Sequence, residues 1–165
     1  MFESERITFR PLDTDDASIF YQWAKDKQVT QYSLSSFAYP QSKTDISNWL
    51  LTINNTDKSV SFGVCCKSSG RLIGYAGIAS ISALNRCGEY FILIGNKEYW
   101  GKGIGTEITS CVTQYGFETL GLHRIELTAF SNNQGAIKAY TKAGYQKEGV
   151  MRQAAIETVA STTRY

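Results

Sequence analysis

Two spacings of apolar residues recur along the chain and divide it into ten predicted elements. Alternation of apolar and polar residues is typical of half-buried strands, whereas apolar residues three or four positions apart are typical of helices. These patterns predict strands over residues 6–10, 60–67, 71–80, 87–94, 124–130 and 145–150. They predict helices after residues 13–16, after Ser42, after residues 101–105 and over residues 134–143. The order β-α-α-β-β-β-α-β-α-β indicates a mixed sheet covered by helices.

Helix start signals support the first two of these helices. Ser42 and Asp45 have the spacing of a capping box, in which each side chain accepts a hydrogen bond from the backbone N–H of the other residue. Asp13, Asp15 and Asp16 place acidic side chains at the positive end of the first helix dipole. The sequence therefore marks where both helices begin.

Composition and charge narrow the class of protein. The 165 residues are 42% apolar and 19% charged, with a net charge of +2, which is typical of a globular domain and predicts one domain over residues 1–165. Such a small positive charge argues against a nucleic-acid partner held through phosphate contacts. The longest apolar run, residues 90–94, is far shorter than the ~20 residues of a membrane helix, so no membrane association is expected.

Cysteine and histidine usage adds two expectations. The four cysteines form no C-x-x-C pair and are predicted to be reduced thiols, as in a cytoplasmic protein. Residues 1–10 are charged and do not resemble a signal peptide, which also favours the cytoplasm. His123 is the single histidine, so a multi-histidine metal site is excluded and no metal is expected.

A glycine-rich segment, Trp100-Gly101-Lys102-Gly103-Ile104-Gly105-Thr106, lies between a predicted strand and a predicted helix. Glycine lets a ligand approach the backbone closely, and the first N–H groups of a helix favour an anion. A P-loop is excluded because its G-x-x-x-x-G-K-S/T pattern is absent, and a Rossmann fingerprint needs glycine where Thr106 stands. Two interpretations stay open: binding of the coenzyme A diphosphate, and a helix start that merely tolerates glycine.

Residues 99–107 resemble motif A of the GNAT acetyltransferases, in particular the branch of RimJ/RimL-like ribosomal-protein N-terminal acetyltransferases and spermidine acetyltransferases. The resemblance extends over residues 85–152 and includes the Asn-x-x-Ala-x-x-x-Tyr spacing from Asn133 to Tyr140. It implies a GNAT fold of the α/β (α+β) class. The expected architecture is a mixed, mostly antiparallel central sheet of six to seven strands, flanked by about four helices.

The same resemblance implies an activity. The protein would be an N-acetyltransferase that moves the acetyl group of acetyl-CoA to a primary amine by direct attack in a ternary complex. The acceptor would be a protein N-terminal amine, an amino sugar or another small amine. The alternative is a non-catalytic acetyl-CoA-binding regulatory domain. If the short C-terminus leaves a sheet edge open, a homodimer is expected to cover it.

Individual residues take roles from the resemblance. Tyr140 would protonate the leaving thiolate, with a core tyrosine as the alternative. Glu89 alternates with Phe91 and Leu93 on one strand face and would accept the proton of the amine, with a solvated glutamate as the alternative. The expected cofactor-binding residues are Ile92, Ile94, Trp100, Gly101, Lys102, Gly103, Ile104, Gly105, Thr106, Asn133 and Lys142. The alternatives are a helix N-cap for Asn133 and a solvated surface lysine for Lys142.

The segment between the first two helices would form one wall of the acceptor site. It contains Tyr32, Phe37 and Tyr39, which are the expected substrate contacts. Residues 27–44 include no Asp or Glu, which weakens the case for a polyamine because several positive charges normally need carboxylates. Aromatic residues with serines suit a peptide N-terminus or an amino sugar, on whose flat apolar face a ring can stack.

Overall fold

A computed structural model describes residues 2–32, 40–156 and 161–164, with side chains through residue 153. The strands are β1 (Ile7–Arg10), β2 (Val60–Cys66), β3 (Leu72–Ser82), β4 (Cys87–Ile94), β5 (Arg124–Glu126), β6 (Met151–Ile156) and β7 (Ser161–Arg164). The helices are α1 (Ala17–Lys25), α2 (Lys27–Thr30), α3 (Lys43–Thr52), α4 (Ile104–Glu118) and α5 (Gln134–Lys142). All four predicted helices are present, and the single turn α2 is an addition to the prediction.

The five strands β1 to β5 form one sheet in chain order. Neighbouring strands are antiparallel except for β4 and β5, which are parallel. This last pair is short, since it joins only residues 87–89 to residues 124–126. Beyond Glu89 the two strands separate, and the C-terminal half of β4 has no strand partner on that side within the described part of the chain.

Helices cover both faces of the sheet. Tyr90, Ile92 and Ile94 face α4 and α5, where Ile108 and other apolar side chains form the larger core cluster. Leu93 packs with the second cluster, built from the apolar face of α1 and α3. Because successive residues of a strand point to opposite faces, Glu89 and Phe91 share the α1–α3 face with Leu93. The strand β4 therefore presents side chains to both layers.

The predicted helix starts are found as expected. Ser42 Oγ accepts a hydrogen bond from Asp45 N at 3.0 Å, and the Asp45 carboxylate accepts from Ser42 N at 2.8 Å. Asp13 and Asp16 form the same reciprocal pattern around the short 3₁₀ turn that leads into α1. The sequence signals and the structure agree at both positions because capping is a local interaction.

Two strand predictions are wrong. The predicted strand 124–130 ends at Glu126, because the chain then leaves β4 and its residues 128–130 line a cavity instead. Residues 145–150 form no strand. Tyr145 N donates to Tyr140 O at 3.0 Å, which holds this segment against the end of α5, and Glu148 is ion-paired with Arg124 at 2.7 Å.

The chain after residue 150 also differs from the expected architecture. Strands β6 and β7 pair with each other in a separate two-stranded antiparallel sheet. The described residues therefore form a sheet of five strands and a separate sheet of two strands, rather than one sheet of six to seven strands. No described helix combines the length and apolar character that crossing a bilayer requires. All four cysteines are unpaired.

Candidate active site

A cavity of about 1270 Å³ lies where β4 and β5 separate. On one face of the sheet it is bounded by the first turn of α4 and by α5, and on the other face by residues of α2 and α3. The C-terminal half of β4 and residues 128–130 form the sides of the gap. Groups bound on opposite faces of the sheet can therefore meet inside this cavity.

The backbone of β4 presents polar groups to the cavity. Gly95 N donates to Ile73 O at 2.9 Å. Gly74 and Ile94 are therefore a non-hydrogen-bonded pair, in which the backbone N–H and C=O of each residue point away from the other strand. The same alternation turns the N–H and C=O of Ile92 away from β3. Ile94 O accepts a hydrogen bond from Trp100 Nε1 at 2.9 Å. The open edge can therefore pair with the amides of an extended ligand.

The start of α4 has the geometry of an anion site. Gly101 and Gly103 have φ angles of 72° and 79°, which glycine adopts with far less strain than other residues. Gly103 is the N-cap and provides no side chain to cap the first turn. The first N–H groups of α4, which form the positive end of the helix dipole, therefore lie beside the cavity. This arrangement fits a diphosphate.

An ion pair ties β1 to this turn. Arg6 Nε donates to Glu107 Oε2 at 2.8 Å, and Arg6 Nη1 donates to Lys102 O at 2.7 Å. Glu107 Oε1 also accepts hydrogen bonds from Arg6 N and from Ser4 Oγ. Burial alone would raise the pKa of Glu107, but the hydrogen bonds from Ser4 and Arg6 outweigh it and lower the pKa. Arg6, just before β1, thus connects the Glu107 carboxylate to the glycine turn.

Replacing Glu107 by Gln is expected to lower Tm by about 3 °C at pH 7, because the isosteric amide carries no charge for Arg6. The lowered pKa means that this stabilisation is present above the ordinary value of 4.5 and is lost as the pH falls below it. Thermal unfolding at pH 7 and pH 3.5 measures the effect, which should shrink at the lower pH. Glu118→Gln, a change on the exposed surface of α4, is the control, and an equal Tm difference at both pH values would contradict the prediction.

On the α5 side of the cavity, Tyr140 lies among other tyrosines. Its ring meets those of Tyr90 and Tyr145 edge-on, with centroids 6.1 and 6.5 Å apart. Burial, with a smaller contribution from Tyr145, raises the pKa of Tyr140 to about 12. The phenol therefore keeps its proton throughout the neutral range. Asn133 begins the same helix, and its Oδ1 accepts from Ala136 N at 3.3 Å.

Among the described residues, one carboxylate and several rings line the opposite face of the cavity. Glu89 is half-buried and lies in register with Ala79 of β3. Phe91 follows it on the same strand face. Tyr32, at the end of α2, has its ring centroid 6.1 Å from that of Phe130. Glu89 therefore lies where the pairing of β4 and β5 ends, beside the gap between the two strands.

Most of the predicted site residues line this one cavity. They are Ile92, Ile94, Trp100, Gly101, Gly103, Gly105, Thr106, Asn133, Lys142, Tyr140, Glu89 and Tyr32. Ile104 and Lys102 are not among the described lining residues. The Ile104 side chain is buried in the core, and Lys102 is exposed beside the turn. Phe37 and Tyr39 lie outside the described residues.

The sequence analysis does not identify two residues that contribute to this site, Arg6 and Trp49. Arg6 was assigned only to a strand, and its link to Glu107 spans 101 positions, which no local pattern reveals. Trp49 fits the apolar face of α3 by its spacing, yet it lines the cavity. Its exposed fraction of 36% is high for a core tryptophan.

The sequence matches a model of the acetyltransferase (GNAT) domain over residues 6–146. The chain belongs to the GNAT acetyltransferase family. This GNAT chain is 29% identical over 150 residues to the uncharacterized N-acetyltransferase p20 of Bacillus licheniformis, covering 90% of this chain and 84% of that protein. It is 27% identical over 150 residues to the spermidine N(1)-acetyltransferase of Escherichia coli K12, covering 90% and 77%.

Solved structures support the GNAT fold. The spermidine N-acetyltransferase of Vibrio cholerae, crystallised with CoA and spermine, superposes with a TM-score of 0.86 over 98% of this chain and 93% of that one, at 21% identity. A GNAT-family acetyltransferase from Bacillus anthracis gives a TM-score of 0.83 over 99% and 93%, at 20% identity. The expected fold class is therefore confirmed, although the described strands form two sheets rather than the one that was expected.

Proposed function

We propose that this GNAT protein transfers the acetyl group of acetyl-CoA to the primary amine of a small molecule. The cavity is the observation that supports this most directly. It joins an anion-binding helix start and an open strand edge on one face of the sheet to a carboxylate on the other face. The spermidine N-acetyltransferases among its relatives favour a small-molecule acceptor over a peptide N-terminus.

Acetyl-CoA, when bound, supplies a thioester whose acetyl carbon an amine can attack. The backbone N–H groups at the start of α4 would hold its phosphates, with Thr106 and Lys142 nearby on the cavity wall. The N–H and C=O groups of Ile92 and Ile94 would pair with the amides of its pantetheine arm. Trp100, whose indole donates to Ile94 O, would give up this contact or share the oxygen.

Two side chains would handle protons. Glu89 would accept the proton that an ammonium substrate must lose before it can attack. Tyr140 would donate a hydrogen bond to the sulfur as negative charge develops there. A phenol with a pKa of about 12 is a weaker acid than a thiol with a pKa of ~8.5, so the main contribution of Tyr140 is the hydrogen bond rather than complete proton transfer.

Replacing Glu89 by Gln is expected to lower kcat about 100-fold near pH 7, because the amide cannot accept the substrate proton. The KM for acetyl-CoA should stay within about twofold, since Glu89 lies on the acceptor face. Initial rates of thiol release measure both quantities. Glu126→Gln is the matched control: Glu126 is the register partner of Glu89 on β5 but is exposed and ion-paired with Arg124. A Glu89→Gln rate within threefold of the unmodified protein would remove Glu89 from the mechanism.

Calorimetric titration with acetyl-CoA, with NADH as the control ligand, tests the proposed function. Saturable binding of acetyl-CoA, followed by thiol release with at least one primary amine, is the expected result. Binding without turnover on any amine would instead support a regulatory domain. If acetyl-CoA did not bind, the assignment of the helix start as a diphosphate site would be wrong.

Several finer expectations belong with this proposal. The motifs in residues 85–152 support a place in the RimJ/RimL-like branch, and a peptide N-terminus is the second candidate acceptor. The four unpaired cysteines support a cytoplasmic location. We also propose one domain over residues 1–165 and a homodimer, which would pair through β5, since no described strand covers the outer edge of β5.

A further inference from the structure

Four aromatic rings form a continuous wall on the acceptor face of the cavity. The ring centroids of Phe20 and Trp49 are 5.4 Å apart, those of Trp49 and Tyr75 are 5.6 Å apart, and those of Tyr75 and Phe91 are 5.5 Å apart. All four residues line the cavity, and we call them the ring wall. Phe20 is fully buried behind the others, whereas Trp49 is 36% exposed. The ring wall therefore offers an apolar surface that begins at the mouth of the cavity.

The acceptor face of the cavity carries little negative charge. Glu89 is the one carboxylate among the described residues that line the cavity. The neighbouring carboxylate, Glu126, is ion-paired with Arg124 at 3.3 Å. Near α2 the lining side chains Gln28 and Gln31 are uncharged amides, and Gln28 Oε1 accepts a hydrogen bond from Lys97 Nζ at 3.0 Å.

These charges do not match those of a polyamine. Spermidine carries three ammonium groups, of which Glu89 could serve the reacting one. The other two would lose water without a carboxylate among the described lining residues to offset the loss, and ring faces attract an ammonium group more weakly than a carboxylate does. A single amine on an apolar body meets no such penalty, and a flat body gains contact with aromatic faces.

We propose, on the basis of the function proposed above, that the acceptor is an arylalkyl monoamine, with its ring on the ring wall and its amine at Glu89. The strand geometry supports this order along the cavity. Phe91 and Glu89 are two residues apart on one face of β4, so the ring site and the carboxylate are adjacent. The amine next to Glu89 then faces the gap through which the two faces of the sheet connect.

The first experiment compares amines with the unmodified protein. Thiol release from acetyl-CoA is measured with 2-phenylethylamine, tryptamine, spermidine and a short peptide with a free N-terminus. We expect kcat/KM for 2-phenylethylamine to exceed that for spermidine at least tenfold. Equal or higher kcat/KM for spermidine or the peptide would overturn the inference while leaving acetyl transfer intact. No thiol release with any amine would overturn the proposed function itself, and the inference with it.

Variants test the ring wall and the charge separately. Trp49→Ala should lower kcat/KM for 2-phenylethylamine about tenfold and leave the Kd of acetyl-CoA unchanged. Phe117→Ala, which removes an exposed ring of α4 outside the cavity lining, is the control. Gln31→Glu keeps the shape of an exposed side chain and adds a carboxylate at the mouth, so it should raise kcat/KM for spermidine at least threefold. Unchanged values in both Trp49→Ala and Gln31→Glu would overturn the assignment of this face.

Discussion

Replacing Tyr140 by Phe is expected to lower kcat about 100-fold and to leave the Kd of acetyl-CoA within about twofold. The change removes one oxygen from a ring that packs edge-on against Tyr90, so the packing of α5 is retained. What is lost is the phenol that would donate to the leaving sulfur. A hydrogen bond to a charged atom contributes about 1.5–3 kcal/mol, which corresponds to a factor of roughly 10–150 in rate.

The pKa of Tyr140 makes this prediction specific. Because burial raises it to about 12, the phenol is present as a donor across the pH range in which a thiolate forms. The loss of rate in Tyr140→Phe should therefore be nearly constant between pH 6 and pH 9. Single-turnover rates at several pH values, together with calorimetric titration of acetyl-CoA, measure both parts of the prediction.

Tyr145 provides the matched control. Its hydroxyl forms a hydrogen bond with Thr113 Oγ1 at 2.8 Å, and the residue is not among those that line the cavity. Tyr145→Phe should therefore cost some stability but little activity. If Tyr140→Phe turned over as fast as Tyr145→Phe, Tyr140 would be a packing residue, as the alternative interpretation holds.

Enlarging Gly105 is expected to weaken the binding of the cofactor and to spare the fold. A Cβ placed on Gly105 would lie 3.7 Å from Ala139 Cβ and 3.8 Å from Ile94 Cδ1, both ordinary contacts. Alanine therefore fits, and it favours the helix relative to glycine. Its methyl group would nevertheless narrow the space between β4 and α5, where the pantetheine arm would lie. We expect the Kd of acetyl-CoA to rise about tenfold in Gly105→Ala and about 100-fold in Gly105→Val.

Thermal unfolding and calorimetry separate binding from folding in this series. The Tm of Gly105→Ala should equal or exceed that of the unmodified protein, although binding is weaker. Gly149→Ala is the control, since its added Cβ would meet nothing within 4 Å and the residue is not a described lining residue. Normal affinity in Gly105→Val would show that the cofactor does not pass between β4 and α5.

Local signals in the sequence predicted local structure well. The capping box at Ser42 and Asp45 marks the start of α3, because both partners lie within one turn. The glycines around Gly103 mark the start of α4 for the same reason, since the backbone there needs a left-handed conformation. Most of the predicted cofactor residues consequently fall on one cavity wall.

Predictions that depended on distant partners were less accurate. The apolar alternation of residues 124–130 resembles a strand, but whether a strand forms there depends on β4, which diverges after Glu89. Trp49 fits the apolar face of a helix, and only the position of β3 and β4 reveals that it belongs to the ring wall. Spacing along the chain describes which residues share a face, but it does not describe what that face meets.

The ion pair between Arg6 and Glu107 affects the order in which the chain folds during synthesis. During synthesis, β1 leaves the ribosome roughly 5–20 s before Glu107, at about 5–20 residues per second. The neighbouring strands β2 to β4 can pair in the meantime, because their antiparallel contacts are close in sequence. The contact between Arg6 and α4 closes a long loop of the chain. Because loop closure costs more entropy as the loop lengthens, this contact forms after the strand pairs. The glycine turn therefore reaches its final structure late in synthesis. Because acetyl-CoA would bind only the folded turn, it would stabilise the newly folded protein.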